Sequence, residues 1–284
     1  MSGTTGTGIG IIAGSGAFPF EIAHALQRAG ETPFIIGLRG FISRDEALHD
    51  LPHAFIDMLD PQKIIATLRA NKVGRVILAG GVSRPGPLAL LSIYTFFRHR
   101  EELRRIVSGG DDRILRGVIR LLEENGFAVI GVDQAAPDLL APLGLIASIS
   151  LPEHAASDIA LGLACLRDMG RYDLGQGVVV AEGRVLAMEG PEGTDAMLER
   201  VRLMQKNRRV ILDNKCAILV KAPKPAQDRR VDLPAIGPRT IKSAKDAGLS
   251  GIAVAAHEVV LVERKRLIHD ADQASLFVTG VQHS

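Results

Sequence analysis

Short apolar runs alternate with amphipathic segments over residues 9–135. The run IGIIAG at 9–14 predicts a buried strand that ends in glycines, and residues 18–30 predict a helix that stops at Gly30. The same alternation predicts strands at 33–38, 75–81 and 127–132, and helices at 61–70, 87–106 and 111–126. Strands that alternate with helices are typical of a doubly wound parallel sheet, so we expect an N-terminal Rossmann-like α/β domain over 9–135.

The pattern changes after the stretch APDLLAPLG, and residues 136–150 are predicted to be a linker. A helix at 154–169 is then followed by GQGVVVAEGRVLAMEG, which predicts a hairpin with its turn at Glu182-Gly183. Further apolar strands are expected at 216–221, 251–256, 259–264 and 276–281. These elements predict a C-terminal α/β domain with a mixed sheet over 151–284, while residues 1–8 are predicted to be a disordered N-terminus.

Composition is typical of a folded protein with modest charge. The 284 residues are 46% hydrophobic and 23% charged, with a net charge of +2, which is enough chain for two cores and too little charge for a nucleic-acid partner. The two cysteines, Cys165 and Cys216, form no CxxC motif, so we expect buried reduced thiols and a cytosolic location. We also expect no secretion signal and no membrane span, because no apolar run reaches the necessary length.

Two glycine-rich turns follow predicted strands. The first contains Gly14, Ser15, Gly16 and Ala17. It departs from the dinucleotide fingerprint, because Pro19 stands at the third glycine position and no acidic residue ends the second strand, IIGLRG. Two interpretations stay open here: a helix N-terminus that binds an anion, or a tight turn that only needs glycine.

The second glycine turn, LAGGVSRP at 78–85, lies at the predicted carboxyl end of a strand. Open α/β sheets bind ligands at this edge. Ala79, Gly80, Ser83 and Arg84 are therefore predicted to contact substrate, as are the residues of the first turn.

Carboxylates occur at two predicted helix starts. Asp111 and Asp112 precede an amphipathic run, where they can cap a helix or bind magnesium. Thr194 and Asp195, in EGPEGTDAMLERV, carry the same two interpretations. The common hydrolase signatures GxSxG, HExxH and GxxxxGK[ST] are absent from the sequence, and the eight histidines lack metal-ligand spacing.

The stretch VKAPKPAQDRRVDLPAIGPRTI at 220–241 concentrates cations and carboxylates after an apolar run. Lys221 and Lys224 could offset the charge of a phosphorylated substrate, and a carboxylate could bind a metal ion or orient a water molecule. The alternative is a solvated loop between prolines. Gln176 could bond a nucleobase or ribose, or it could cap backbone groups.

Seven segments, in this order and spacing, resemble the LpxI family of UDP-2,3-diacylglucosamine pyrophosphatases. They are IIAGSGAFP, LAGGVSRP, the GDD before a helix, DLGQGVVVAEG, EGTDAML, KAPKPAQDRRVDLPAIGPRTI and GIAVAAHEVVLVERK. The resemblance covers nearly the whole chain after residue 8. It implies hydrolysis of UDP-2,3-diacylglucosamine to UMP and 2,3-diacylglucosamine 1-phosphate (lipid X) in lipid A biosynthesis. It also implies a divalent cation, Mg²⁺ or Mn²⁺, and peripheral work at the cytoplasmic face of the inner membrane.

The resemblance also ranks the carboxylates. Asp232 belongs to the core motif VDLP, whereas the family position of Asp228 need not be Asp, so Asp232 is the predicted catalytic residue. Metal ligands are predicted at Asp232, Asp195, Asp111 and Asp112, and substrate contacts at Gln176, Thr194, Lys221 and Lys224. The family commonly has Asn where this turn reads Gly80-Gly81-Val82, so Gly81 supplies no side-chain amide.

The segment PLALLSIYTFFRHREELRR at 87–105 is apolar up to Phe97 and then basic. A core helix with a charged end has this pattern, and so does a segment that touches an anionic membrane. The resemblance favours the membrane or an acyl groove. Two other functions stay open, a nucleotide-sugar-binding regulatory module without catalysis and a nicotinamide oxidoreductase, and a homodimer is a guess that no motif supports.

Overall fold

The protein was analysed as a computed structural model that describes residues 6–42, 50–82, 111–153, 155–172, 174–212, 216–225, 228–230 and 233–283. The side chains of 111–114 and 171 are outside this description. The chain divides into two compact units, Met1–Ala136 and Pro137–Ser284. Each unit is built around its own sheet.

The first unit contains a five-stranded parallel sheet of order β3-β2-β1-β4-β5. Its strands are β1 Gly8–Ala13, β2 Phe34–Leu38, β3 His53–Ile56, β4 Val73–Ala79 and β5 Ala128–Val129. Its helices in the described residues are α1 Phe18–Arg28, α2 Pro61–Ala70, α3 Asp111–Glu124 and the single turn α4 Val132–Ala135. The predicted doubly wound, Rossmann-like domain is confirmed, because the strand order reverses between β1 and β4.

Local sequence explains where the first two helices start. Each has a proline in its first turn, where the missing N–H costs no helix hydrogen bond. The Asp60 carboxylate accepts a bond of 3.0 Å from the Lys63 N–H and so caps α2. Ile22 and Leu26 of α1, four residues apart, are both buried, which places one face of this helix in the core.

The second unit contains a six-stranded sheet of order β6-β13-β11-β9-β7-β8, and its mixed character confirms the predicted mixed-sheet α/β domain. Its strands are β6 Gly144–Leu145, β7 Gly177–Ala181, β8 Arg184–Met188, β9 Ala217–Lys221, β11 Gly251–Ala255 and β13 Phe277–Val281. Strands β9, β11 and β13 are parallel, and β6, β7 and β8 run antiparallel to their neighbours. A separate parallel pair joins β10 Ala235–Ile236 to β12 Val260–Leu261.

The described helices of the second unit are α5 Ala155–Met169, α6 Gly193–Lys206, α7 Pro238–Asp246 and α8 Arg264–Gln273. Short 3₁₀ turns occupy Pro137–Leu139 and Gly170–Tyr172. The predicted hairpin turn at Glu182-Gly183 is confirmed, with φ of 50° and 71°. The Asp158 side chain, only 3% exposed as a residue, accepts bonds of 2.8 and 2.7 Å from the two turn N–H groups.

Several predicted boundaries were wrong. The strand expected at 127–132 ends at Val129, because Gly131 starts the turn of helix α4. The strand expected at 259–264 is reduced to Val260–Leu261, because its parallel partner Ala235–Ile236 is equally short and Glu263, at φ 50°, turns the chain into α8. Apolar sequence alone does not set strand length, since a strand also needs a partner along its edge.

Other segments differ from their prediction or fall outside the description. Residues 136–150, predicted as a linker, contain a 3₁₀ turn and β6, whose Gly144 pairs with Gly280 in the sheet. Gly8, placed by the prediction in a disordered N-terminus, is the first residue of β1. Strand β3 and helices α7 and α8 were not predicted. The helix predicted at 87–106 lies outside the described residues.

In the part of the chain that the structure describes, every helix is too short or too polar to cross a membrane.

Candidate active site

The reversal of strand order in the first sheet brings two glycine turns together. Ser15, after β1, and Gly81, after β4, form a two-residue bridge in which each N–H donates to the other carbonyl, at 2.8 and 2.9 Å. The Ser15 hydroxyl also donates to the Gly81 carbonyl at 2.9 Å. We call residues 14–17 and 79–81 the glycine edge, because these turns follow the carboxyl ends of β1 and β4.

Glycine is required at this edge for packing. A Cβ on Gly14 would lie 2.5 Å from the Gly81 carbonyl oxygen, and a Cβ on Gly80 would lie 2.7 Å from the Gly14 carbonyl carbon. Gly80 also has φ +91°, a conformation that side chains disfavour. Gly14 and Gly80 therefore have a structural reason for their identity, and their contact with substrate stays a prediction.

The glycine edge contains six of the predicted substrate-contacting residues. They are Gly14, Ser15, Gly16, Ala17, Ala79 and Gly80, with Ala17 at the N-cap of α1. Ser83 and Arg84, predicted to complete this group, lie outside the described residues. The bridge uses the N–H groups of Ser15 and Gly81 within the protein, so the bonded pair is part of the scaffold.

A buried polar cluster lies at the carboxyl end of β9 in the second sheet. The last residue of β9, Lys221, is 4% exposed, and its ammonium donates to the Thr194 hydroxyl at 2.7 Å and to the Ala235 carbonyl at 3.4 Å. Thr194 in turn donates to Glu189 Oε1 at 2.9 Å, and Glu189 Oε2 is 3.9 Å from the ammonium. We call Gln176, Glu189, Thr194, Lys221 and Ala235 the lysine edge.

Gln176 contributes to the lysine edge through its backbone. Its N–H donates to Glu189 Oε2 at 3.3 Å, and its carbonyl accepts from the Ala222 N–H at 3.2 Å. The structure thus brings together three residues predicted to contact substrate, Gln176, Thr194 and Lys221. Gln176 is the residue before β7, Thr194 lies in the first turn of α6, and Lys221 is the last residue of β9.

Glu189 is the charged residue of this cluster that sequence reasoning missed. It follows β8 directly, and the antiparallel pairing of the hairpin returns it to the start of β7, where its N–H donates to the Gly177 carbonyl at 2.8 Å. A sequence signal was available, because a hairpin with a turn at Glu182-Gly183 places residues 176 and 189 at the same end. The carboxylate that the sequence predicts near the start of helix α6 is Asp195 instead.

The predicted metal ligands belong to different units or lie outside the description. Asp195 accepts from Arg239 at 2.8 Å and from the Ser243 hydroxyl at 3.3 Å, in a half-exposed contact between α6 and α7. Asp111 and Asp112 begin α3 in the first unit, and their side chains are not described. Asp232 lies outside the described residues. The described part of the chain contains no group of three His, Cys, Asp or Glu side chains that could hold a metal.

The described arginines of the basic stretch after β9 form ion pairs with carboxylates. Lys224 is half-buried, and Asp228 accepts from the Arg230 guanidinium at 2.8 and 2.7 Å. Arg229 donates to Glu258 at 3.1 Å, and Glu258 also contacts His283 at 2.7 Å. The cations of this stretch therefore differ in burial. Arg229 and Arg230 are partly exposed and pair with carboxylates, whereas Lys221 is buried.

The two cysteines are free thiols. Cys216 is buried and Cys165 half-buried, and burial raises the pKa of both thiols above the ordinary value of 9.0. Asp168 adds to the shift at Cys165. A thiol with a raised pKa is a poor nucleophile near neutral pH, so neither cysteine is a candidate for covalent catalysis.

Comparison with known proteins identifies the family. The sequence model of the LpxI N-terminal domain matches residues 8–139, and that of the LpxI C-terminal domain matches residues 142–279. The chain belongs to the LpxI family. A curated relative from Caulobacter vibrioides, named UDP-2,3-diacylglucosamine pyrophosphatase LpxI, is 40% identical over 274 residues, which is 96% of this chain and 97% of the relative. The LpxI family resemblance drawn from the sequence motifs is thereby confirmed.

Proposed function

We propose that the protein hydrolyses the pyrophosphate bond of UDP-2,3-diacylglucosamine and releases UMP and 2,3-diacylglucosamine 1-phosphate (lipid X) in lipid A biosynthesis. The observation that carries this proposal is the similarity to the Caulobacter vibrioides pyrophosphatase across both domains, at 40% identity over 96% of the chain. The models of both family domains match the chain, at residues 8–139 and 142–279.

The lysine edge supports this chemistry. Negative charge builds up on phosphoryl oxygens as water attacks a pyrophosphate, and fixed cations at that place lower the barrier. The Lys221 ammonium is held in place at the end of a buried strand, by bonds to Thr194 and Ala235. Low exposure strengthens the field of such a charge, because solvent screens it less. In this proposal Lys221 and Lys224 offset the pyrophosphate charge and Asp232 orients the attacking water.

A divalent cation, Mg²⁺ or Mn²⁺, is part of the proposal. Hard cations prefer carboxylate oxygens, and the sequence motifs place Asp232 in the core of the family pattern. The described carboxylates form no ligand cluster, and Asp195 is paired with Arg239. Loss of turnover in excess EDTA, restored by added Mg²⁺, supports the metal requirement. Full turnover in EDTA contradicts it.

Contact with an anionic membrane at the cytoplasmic face is also proposed. It rests on the apolar and basic residues of 87–105, which lie outside the described part of the chain. Attraction between basic side chains and anionic lipid weakens as salt rises. Sedimentation with anionic vesicles should therefore fall with salt, and binding that is absent at low salt contradicts this part of the proposal. A homodimer stays a guess.

The test of the activity is release of UMP from UDP-2,3-diacylglucosamine by the purified protein, with Asp232→Ala beside it. If Asp232 acts mainly in the transition state, the variant should lose on the order of 10² or more in kcat while it still binds intact substrate. Binding without UMP release by the unaltered protein would instead favour a nucleotide-sugar-binding module. Turnover of Asp232→Ala at the unaltered rate would remove Asp232 from the mechanism.

A further inference from the structure

The Glu189 carboxylate is nearly as buried as the ammonium it accompanies. Its side chain is 12% exposed, and that of Lys221 is 5% exposed. Removing two charges from water is costly, and apolar residues of similar volume often pack at least as stably. Packing alone therefore does not explain a carboxylate at this position. A need to hold the Lys221 ammonium in a fixed place does explain it.

The hydrogen bonds of the cluster have a direction. Lys221 donates to the Thr194 oxygen at 2.7 Å, and Thr194 donates its single hydroxyl proton to Glu189 Oε1 at 2.9 Å. Because that proton points to the carboxylate, a lone pair of the hydroxyl must face the ammonium. Glu189 thus determines the orientation of the group that holds Lys221.

Glu189 is itself fixed by the backbone around it. Its own N–H donates to the Gly177 carbonyl at 2.8 Å, and its carbonyl accepts from the Gly175 N–H at 3.0 Å. A Cβ on Gly175 or Gly177 would lie 2.5 or 2.7 Å from Glu189 side-chain atoms, so glycine at both positions leaves room for the carboxylate. The position of the carboxylate is therefore set by the hairpin, independently of any ligand.

The negative charge also suits its surroundings. Thr194 is the second residue of α6, so Glu189 lies beside a helix N-terminus, where the helix dipole favours an anion and disfavours the Lys221 ammonium. The Glu189 carboxylate, 3.9 Å from the ammonium, offsets the charge of Lys221 and the partial positive charge of the helix start.

We propose that Glu189 is a positioning residue for pyrophosphate hydrolysis: through Thr194 it holds the Lys221 ammonium in one place for the phosphate groups of the substrate. This inference rests on the proposed function, in which Lys221 offsets pyrophosphate charge. A cation that is already desolvated and oriented needs little rearrangement when charge develops on the substrate.

The test compares UMP release by Glu189→Gln, Thr194→Val, Thr194→Ser and Lys221→Ala. Glu189→Gln and Thr194→Val should each lower kcat/KM by about tenfold or more, the loss that supporting partners of a functional group commonly cause. KM should rise, as in Lys221→Ala, because the cation attracts the pyrophosphate of the bound substrate. The value of kcat should fall as well, because the same cation acts more strongly on the charge that develops in the transition state. Thr194→Ser keeps the hydroxyl and should stay within about threefold of the unaltered protein.

Asp158→Asn is the matched control, because Asp158 is a buried carboxylate that binds the opposite end of the same hairpin. It should lower Tm and leave kcat/KM within about threefold, since nothing in its contacts reaches Lys221. In a Lys221→Ala background, Glu189→Gln should cost less than about threefold, because its target is gone.

The outcomes separate the two proposals. No UMP release by the unaltered protein overturns the proposed function and this inference with it. An active parent with Glu189→Gln and Thr194→Val that lose only Tm, as Asp158→Asn does, overturns the inference alone. Equal losses from Glu189→Gln with and without Lys221 overturn it as well. If Glu189→Gln does not fold, the contrast between Thr194→Val and Thr194→Ser decides, and equal activity of these two variants counts against the inference.

Discussion

At the glycine edge two turns are joined by main-chain hydrogen bonds, whereas at the lysine edge an ammonium, a hydroxyl and a carboxylate are joined through their side chains. Both edges lie where strands end, at β1 and β4 in the first unit and at β9 in the second. Similar places in two α/β domains can therefore depend on different properties, close backbone packing in one and side-chain charge in the other. At the glycine edge we expect added volume to lower stability and the loss of a side-chain group to have little effect. At the lysine edge we expect the loss of a charge to lower activity.

The largest effect is expected from volume at the glycine edge. Gly80→Ala places a Cβ 2.7 Å from the Gly14 carbonyl carbon at φ +91°, so we expect the free energy of unfolding to fall by about 2–4 kcal/mol. Gly16→Ala is the control, because Gly16 has φ +98° but its Cβ would meet nothing within 4 Å, and it should cost only about 1–2 kcal/mol. Urea denaturation followed by circular dichroism measures both, and equal losses would show that strain alone, without the close approach, explains the glycine at 80.

A smaller effect is expected from side-chain chemistry at the same edge. Ser15→Ala removes the hydroxyl bond to the Gly81 carbonyl but leaves the two main-chain bonds of the bridge. The bond is exposed, so stability should fall by only about 0.5–1 kcal/mol. If the edge is built by its backbone, kcat/KM should also change by less than about threefold, far less than for Lys221→Ala. A tenfold loss in Ser15→Ala would break the contrast and assign the hydroxyl a direct role with substrate.

The smallest effect is expected from a cysteine, as a change in the pH dependence of stability. Both cysteines lie in the second unit, so this prediction concerns that unit. Burial, opposed in part by a hydrogen bond with Ser250, raises the pKa of Cys216 above that of an ordinary thiol. At neutral pH the thiol is protonated in both states. As the pH rises through the ordinary pKa, the unfolded chain loses the proton first, so stability falls. Cys216→Ala should make the decline between about pH 8 and 10 less steep. An unchanged slope in urea denaturation would contradict the assignment.

Much of the fold could be predicted from local pattern. Strand β1 and helices α1 and α2 were predicted because their apolar spacing, prolines and capping residue lie within a few positions of one another. The hairpin turn was predicted for the same reason, since Glu182-Gly183 suits positive φ. The short strands β5 and β12 were predicted too long, because their lengths depend on edges supplied by distant residues.

The candidate site was predictable in its parts. The sequence predicts Lys221, Thr194 and Gln176 as substrate-binding residues independently of one another. It gives no indication that all three contact the same carboxylate. Asp195 was chosen as a carboxylate near a helix start, and its partner Arg239 is 44 residues away. Local pattern contains no information about such partners, because side chains from separate elements meet only after the chain has folded.

The family, the two α/β domains and the stretches that carry glycines and cations follow from the amino-acid sequence, because these depend on residue order and periodicity along the chain. The bond between Ser15 and Gly81 and the link from Glu189 through Thr194 to Lys221 become apparent only in the folded protein. The parallel order of the first sheet brings two turns 66 residues apart into hydrogen-bond contact. In the second, the antiparallel return of β8 along β7 places Glu189 beside the end of β9, since strand pairing converts distance along the chain into contact in space.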